Sequence, residues 1–194
     1  MRVHPADPTP LSNGAIGENL QLSVTDQAMT SPVPVEAARA EGFQRVGEAL
    51  RQAGHAHAPR WLEVAARTSQ EAADALGIAL GQIAKSVVFR RLADEQAVLV
   101  IASGDRRVDE QRLAAVVGPV GRADAAFVKA RTGFAIGGVS PVGLPGTPTV
   151  LLDRQLQRFE QIWAAAGHPN GVFQLTPQDL QRLTGAPWAD VVQA

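Results

Sequence analysis

Phe159-Glu160-Gln161-Ile162-Trp163-Ala164-Ala165, followed by Gly167-His168-Pro169-Asn170-Gly171 and then Val172-Phe173-Gln174-Leu175, decides how this chain reads. Two apolar segments flank a cluster of turn formers, so the stretch predicts a β-hairpin, although propensity alone also allows a helix over the first segment. Downstream, Thr176 with Pro177 is a strong helix start for Gln178–Leu183. Upstream, Thr149–Leu152 and Ala135-Ile136 flank a Gly/Pro-rich loop. Further back, Ile83–Phe89 is rich in β-branched residues, and Ala97–Ala102 is apolar at every position, the pattern of a strand buried on both faces. Helices are predicted at Val35–Ala53, at Gln70–Leu76 capped by Ser69, from Asp109 to Val117 and at Ala123–Ala130, with a strand at Arg60–Val64. The regular alternation of a doubly wound sheet is missing. The expectation is therefore an α/β protein of the α+β type, with a mixed, largely antiparallel sheet surrounded by helices.

The 194 residues, 45% of them hydrophobic, suit one substantial core. Residues 1–37, rich in Pro, Ser, Thr and Asn, read as a flexible N-terminal extension, leaving 38–194 as the folded domain. Cysteine is absent, so disulfides and thiolate metal sites are excluded. No apolar run reaches membrane-spanning length and no secretory pattern opens the chain, which predicts a cytoplasmic protein without membrane contact. The net charge of −1 rules out a globally basic nucleic-acid binder, so any RNA contact must be local. Of 18 Lys and Arg residues only Lys85 and Lys129 are lysines, and Lys85 interrupts an apolar run.

On a strand Lys85 shares a face with Ile83, Val87 and Phe89, so it either snorkels to the rim or meets an anion. Gly137-Gly138-Val139-Ser140-Pro141-Val142-Gly143 is either a structural turn or a loop whose backbone approaches a ligand closely. It matches neither a Walker loop nor a dinucleotide fingerprint, and it is one glycine short of a nucleophile elbow. Ser103-Gly104-Asp105-Arg106-Arg107 ends the buried strand as a solvated turn or as a phosphate holder. His55, His57 and His168 lack partners at metal-ligand spacing, and no catalytic triad or carboxylate pair is evident. Trp61, Trp163 and Trp188 read as core or rim residues rather than a base-stacking platform.

The order of these three segments along the chain resembles the YbaK/ProX family, which is related to the editing domain of bacterial prolyl-tRNA synthetases. The resemblance runs from about residue 40 to the C-terminus. It implies a deacylase that hydrolyses the ester joining a wrong amino acid to tRNA; no cofactor and no metal are expected. It implies that Lys85 engages the acceptor end and that the loop at Gly137–Gly143 shapes the aminoacyl pocket. Lys85, Gly137 and Gly138 are then the expected catalytic residues. Ser86, Ser140, Pro141, Gly143, Asp105, Arg106 and Arg107 are expected to bind substrate. The expected partners are a tRNA acceptor end carrying a small amino acid (Ala, Ser, Thr or Cys) and an aminoacyl-tRNA synthetase. The competing expectation is a non-catalytic module that binds tRNA ends or a synthetase.

Overall fold

A computed structural model describes residues 40–193. The expected extension over 1–37, and the first residues of the helix expected from Val35, lie outside the described residues. Helix α1 spans Glu41–Gln52 and buries Phe43, Val46 and Leu50, the stripe that its helical period creates. Strand β1 is only Arg60–Trp61, shorter than the expected Arg60–Val64: the Leu62 N–H still donates to the Asn170 carbonyl at 2.7 Å, in register with β7, but the Leu62 carbonyl is met by the Asn170 side chain at 2.9 Å instead of a main-chain N–H. Helix α2 spans Ser69–Leu76. Its cap is Thr68 rather than Ser69: Thr68 accepts from the Glu71 N–H while the Glu71 carboxylate returns to the Thr68 N–H, a reciprocal capping box.

The sheet is built on β2 (Ile83–Arg91) and β3 (Ala97–Ser103), an antiparallel hairpin in register from Ala84–Ser103 to Arg90–Ala97. Every residue of β3 is buried, as its unbroken apolar run requires. Helix α3 (Glu110–Val117) is capped by Asp109 as expected, and α4 (Ala125–Thr132) starts two residues later than expected because Asp124 is its cap. Strands β4 (Val120–Arg122), β5 (Thr149–Asp153), β6 (Ile162–Ala165), β7 (Gly171–Leu175) and β8 (Trp188–Ala189) complete the sheet. Helix α5 (Pro177–Thr184) is started by Thr176 and Pro177.

The strand order is β1-β7-β6-β2-β3-β5-β8, with β4 also on β2. Four neighbouring pairs run antiparallel and three parallel, so the expected mixed sheet is observed. The hairpin that opened the reading is β6–β7, paired from Ile162–Leu175 to Ala165–Val172. One feature places the site. Strand β2 shares a single edge between β6, which pairs with Ile83 and Ala84, and β4, which pairs with Phe89 to Arg91. Between those pairings the edge is open.

The main core gathers α1, β3, β6, β7 and α5 through Leu50, Leu99, Ile101, Ile162, Phe173 and Leu180. Ile101 is fully buried between β2 and β5. Ile101→Ala is expected to cost about 2–5 kcal/mol, seen as a lower urea midpoint with an unchanged slope.

Candidate active site

A cleft of about 290 Å³ opens where β2 and β6 diverge. Arg67, Thr68 and the first turn of α2, through Ser69 and Ala72, wall it on one side, and β2 contributes Ile83 to Ser86. The end of β6 supplies Trp163, Ala164 and Ala165, and the loop after α4 supplies Ile136, Gly137 and Val139. Crevices at the carboxyl ends of diverging parallel strands are habitual ligand sites, because main-chain groups there lose their ladder partners.

Lys85 does not snorkel. Its Nζ donates to the carbonyls of Gly104, at 3.1 Å, and Arg106, which fastens the Ser103–Arg107 turn beside the cleft. Burial holds the Lys85 ammonium below the ordinary lysine range. Asp105 and Asp153 oppose that shift, and Arg107 adds to it. An ammonium carries three donors, and these bonds use two.

The turn is itself clamped. Arg158 donates from Nη2 to the Asp105 carboxylate at 2.9 Å and to Ser103 Oγ at 3.0 Å. Ser103 Oγ also lies 2.6 Å from the Gly81 carbonyl. The fully buried Asp153 accepts from the Ser103 and Gln155 N–H groups, both at 3.0 Å. Burial raises the Asp153 carboxyl above its usual value despite those two donors. Burial also acts to raise Asp105, but the Ser103 and Arg158 hydrogen bonds outweigh it and leave that carboxyl low. Asp105 is thus a structural anion bound to Arg158. Neither it nor Arg106 or Arg107 lies on the cleft wall; the turn reaches the site through Lys85.

The glycine loop divides. Gly137 lies on the wall with φ +88°, a left-handed conformation that glycine adopts without strain. The Gly138 N–H donates to the Ala135 carbonyl at 3.0 Å, so it is not free for a substrate. A Cβ on Gly138 would stand 2.9 Å from the His168 backbone, so this glycine lets the loop touch the β6–β7 turn. Ser140 is fully buried, and its Oγ accepts from the Val142 N–H at 3.2 Å; the hydroxyl closes a turn instead of facing the cleft as expected. Pro141 and Gly143 line a different depression, with Ala49 and Leu183. Of the expected site residues, the structure therefore brings Lys85, Ser86 and Gly137 around one cleft.

Sequence reading missed the residues that hold this arrangement. Arg45 on α1 donates to the carbonyls of Gly143, at 2.8 Å, and Gly133, at 3.1 Å, while its guanidinium stacks 4.5 Å from the Phe134 ring. It pins the glycine loop at both ends. Trp61 stacks on His168 at 4.6 Å and steadies the β6–β7 turn. A lone Arg in an amphipathic helix and a Trp in a short strand carry no local sign of these partners.

Residues 63–183 match the family model described as the aminoacyl-tRNA editing domain. The uncharacterized protein YwhH of Bacillus subtilis is 37% identical over 131 residues, covering 66% of this chain and 83% of YwhH. The Enterococcus faecalis protein named "Putative Cys-tRNA(Pro)/Cys-tRNA(Cys) deacylase EbsC" is 28% identical over 126 residues, 64% of this chain and 76% of its own. A crystal structure described as that of "a putative trans-editing enzyme for prolyl tRNA synthetase" superposes with a TM-score of 0.74 at 38% identity, covering 79% of this chain and 98% of that one. The mixed sheet is thus that of a tRNA-editing domain. The chain belongs to the aminoacyl-tRNA editing domain family, the YbaK/ProX family, and is an aminoacyl-tRNA deacylase.

Gly138→Ala is expected to push the loop and the His168 turn apart. Misplacement of about 1 Å costs roughly a hundredfold in rate, so deacylation should fall by that order while far-ultraviolet circular dichroism is retained.

Proposed function

We propose that this chain edits in trans, hydrolysing tRNA esters of a small amino acid of the Ala, Ser, Thr or Cys class. One observation carries this reading: short residues, Ala84, Ala164, Ala165, Gly137 and Gly171, line the cleft next to a half-buried lysine. Such walls leave room for a small side chain beside the ester and hold no spare anion to repel a phosphate. The name of the Enterococcus relative supports cysteine within this class, and that of the solved structure supports a link to prolyl-tRNA synthetase.

In this reading the remaining Lys85 donor meets a phosphate near the tRNA terminus. Arg106 and Arg107, on the turn that Lys85 holds, track phosphates further along the single strand. The Gly137 backbone borders the ester. Water attacks the ester carbonyl, the bond from the acyl carbon to the ribose oxygen breaks, that oxygen takes up a proton, and the amino acid departs as its carboxylate. An aminoacyl ester is already activated, so positioning and oxyanion stabilisation supply much of the rate.

Lys85→Ala is expected to abolish turnover on a panel of alanyl-, seryl-, threonyl- and cysteinyl-tRNAs while leaving the melting curve cooperative. Near-normal deacylation by that variant would sink the assignment. The pH dependence has a definite sign. A lysine is charged below its pKa, and burial lowers that of Lys85. Affinity for a non-hydrolysable acceptor-end RNA should therefore be full at neutral pH and fall on the alkaline side before an ordinary lysine titrates. Lys85→Arg, which stays charged, should flatten that limb in fluorescence anisotropy.

A further inference from the structure

Ser86 Oγ is buried and has no hydrogen-bond partner among the described residues, and Ser86 lines the cleft. Its main chain is in the same state, and the strand register shows why. The Arg91 N–H donates to the Gln96 carbonyl at 2.9 Å, which makes those two a hydrogen-bonded pair of the β2–β3 ladder. Such pairs alternate with non-hydrogen-bonded ones along an antiparallel ladder. Phe89, Val87 and Lys85 therefore exchange main-chain bonds with β3, while Arg90, Val88, Ser86 and Ala84 turn theirs to the opposite edge. The Leu92 N–H to Pro119 carbonyl bond, 2.9 Å, sets the same alternation beside β4. On that edge β6 answers Ala84 and β4 answers Arg90. Ser86 falls in the gap. Strand β6 does not answer it: its pairing with β2 stops at Ala84 and Ala164, and the chain reverses at the left-handed Gly167.

An N–H and a C=O on one residue, facing an open slot, are half of an antiparallel residue pair. An α-aminoacyl ester carries the other half, an ammonium donor and a carbonyl acceptor on neighbouring atoms. We propose that Ser86 docks the aminoacyl group as a one-residue strand. The α-ammonium donates to the Ser86 carbonyl, and the ester carbonyl accepts from the Ser86 N–H. This rests on the deacylase reading and adds what the site recognises: an ester with a free α-amino group. The Ser86 N–H then faces the oxygen on which charge develops as water attacks, the position of an oxyanion donor. Directly opposed residues in a ladder place their side chains on one face. The amino-acid side chain therefore falls beside Ser86 Oγ, which finds a partner in a β-hydroxyl or β-thiol and none in a methyl.

The test compares alanyl-tRNA with lactyl-tRNA, its α-hydroxy counterpart with the same side chain. Single-turnover rates with the full chain are each divided by the spontaneous hydrolysis of that ester. Loss of the charged donor is expected to slow cleavage by roughly tenfold or more. Ser86→Pro removes the N–H that faces the slot and no β2–β3 ladder bond. It is expected to lower kcat by roughly a hundredfold while acceptor-end RNA still binds. Ser86→Ala should lower the seryl-to-alanyl rate ratio; an unchanged ratio overturns the side-chain placement. Equal normalised rates on the two esters, or a folded proline variant with wild-type kcat, overturn the docking and leave the deacylase reading standing. If the proline variant does not fold, the ester comparison decides alone. A panel with no turnover on any charged tRNA overturns both.

Discussion

Beyond its pairing with β3, strand β2 has one edge that two strands divide, and the site follows from how that edge is divided. Strand β6 runs parallel to β2 at Ile83 and Ala84 and then turns away, while β4 joins at Phe89. A continuous partner would have sealed Ser86 into the ladder and closed the cleft. Strand β6 ends locally: the Ala166 N–H closes the β6–β7 hairpin on the Gly171 carbonyl, and the left-handed Gly167 allows the reversal that follows. The space between is then walled by pieces that could not meet in an uninterrupted sheet, namely the first turn of α2, the end of β6 and Gly137. Arg45 keeps the glycine loop against this opening from the far side by holding two of its carbonyls.

The charge arrangement obeys the same economy. A half-buried lysine is unfavourable unless its donors are answered, and Lys85 is answered by main-chain carbonyls rather than by a carboxylate. A directly paired carboxylate would neutralise the ammonium and repel an incoming phosphate. Here Asp105 belongs to Arg158 and Asp153 to two backbone N–H groups. Both carboxylates favour the charged lysine through space while their own bonds are spent elsewhere. The ammonium thus keeps both its charge and one donor for an anion.

What the sequence made legible was local. The hairpin at Ile162–Leu175, the buried β3 run and the Asp109 and Thr176 caps depend on residues a few positions apart. Lys85 stood out because a charge inside an apolar run needs explaining at any distance. What stayed hidden depends on partners far along the chain. Arg45 meets Gly143 98 residues away, and Arg158 meets Asp105 53 residues away, so neither motif contains its own explanation. Ser140 shows the opposite failure. Its place in a glycine-rich motif suggested a ligand contact, but a short turn brings the Val142 N–H to its hydroxyl and the residue is consumed in shaping the loop. The cap expected at Ser69 falls one residue earlier, because Glu71, three residues after Thr68, completes a capping box with it.

Size alone gives such a cleft limited discrimination. An apolar wall distinguishes one methylene by about 1–3 kcal/mol, which rejects long side chains but separates alanine from serine poorly. Polar groups left without partners are sharper, since an unmet buried donor or acceptor costs free energy in every complex that fails to satisfy it. Among the described residues Ser86 supplies an orphaned hydroxyl at the wall, with an N–H and a carbonyl turned into the same slot. In the proposed reading the alanines and glycines lining the cleft limit the size of the side chain. The unfilled hydrogen bonds at the break in the β2 edge set what chemistry must fill it.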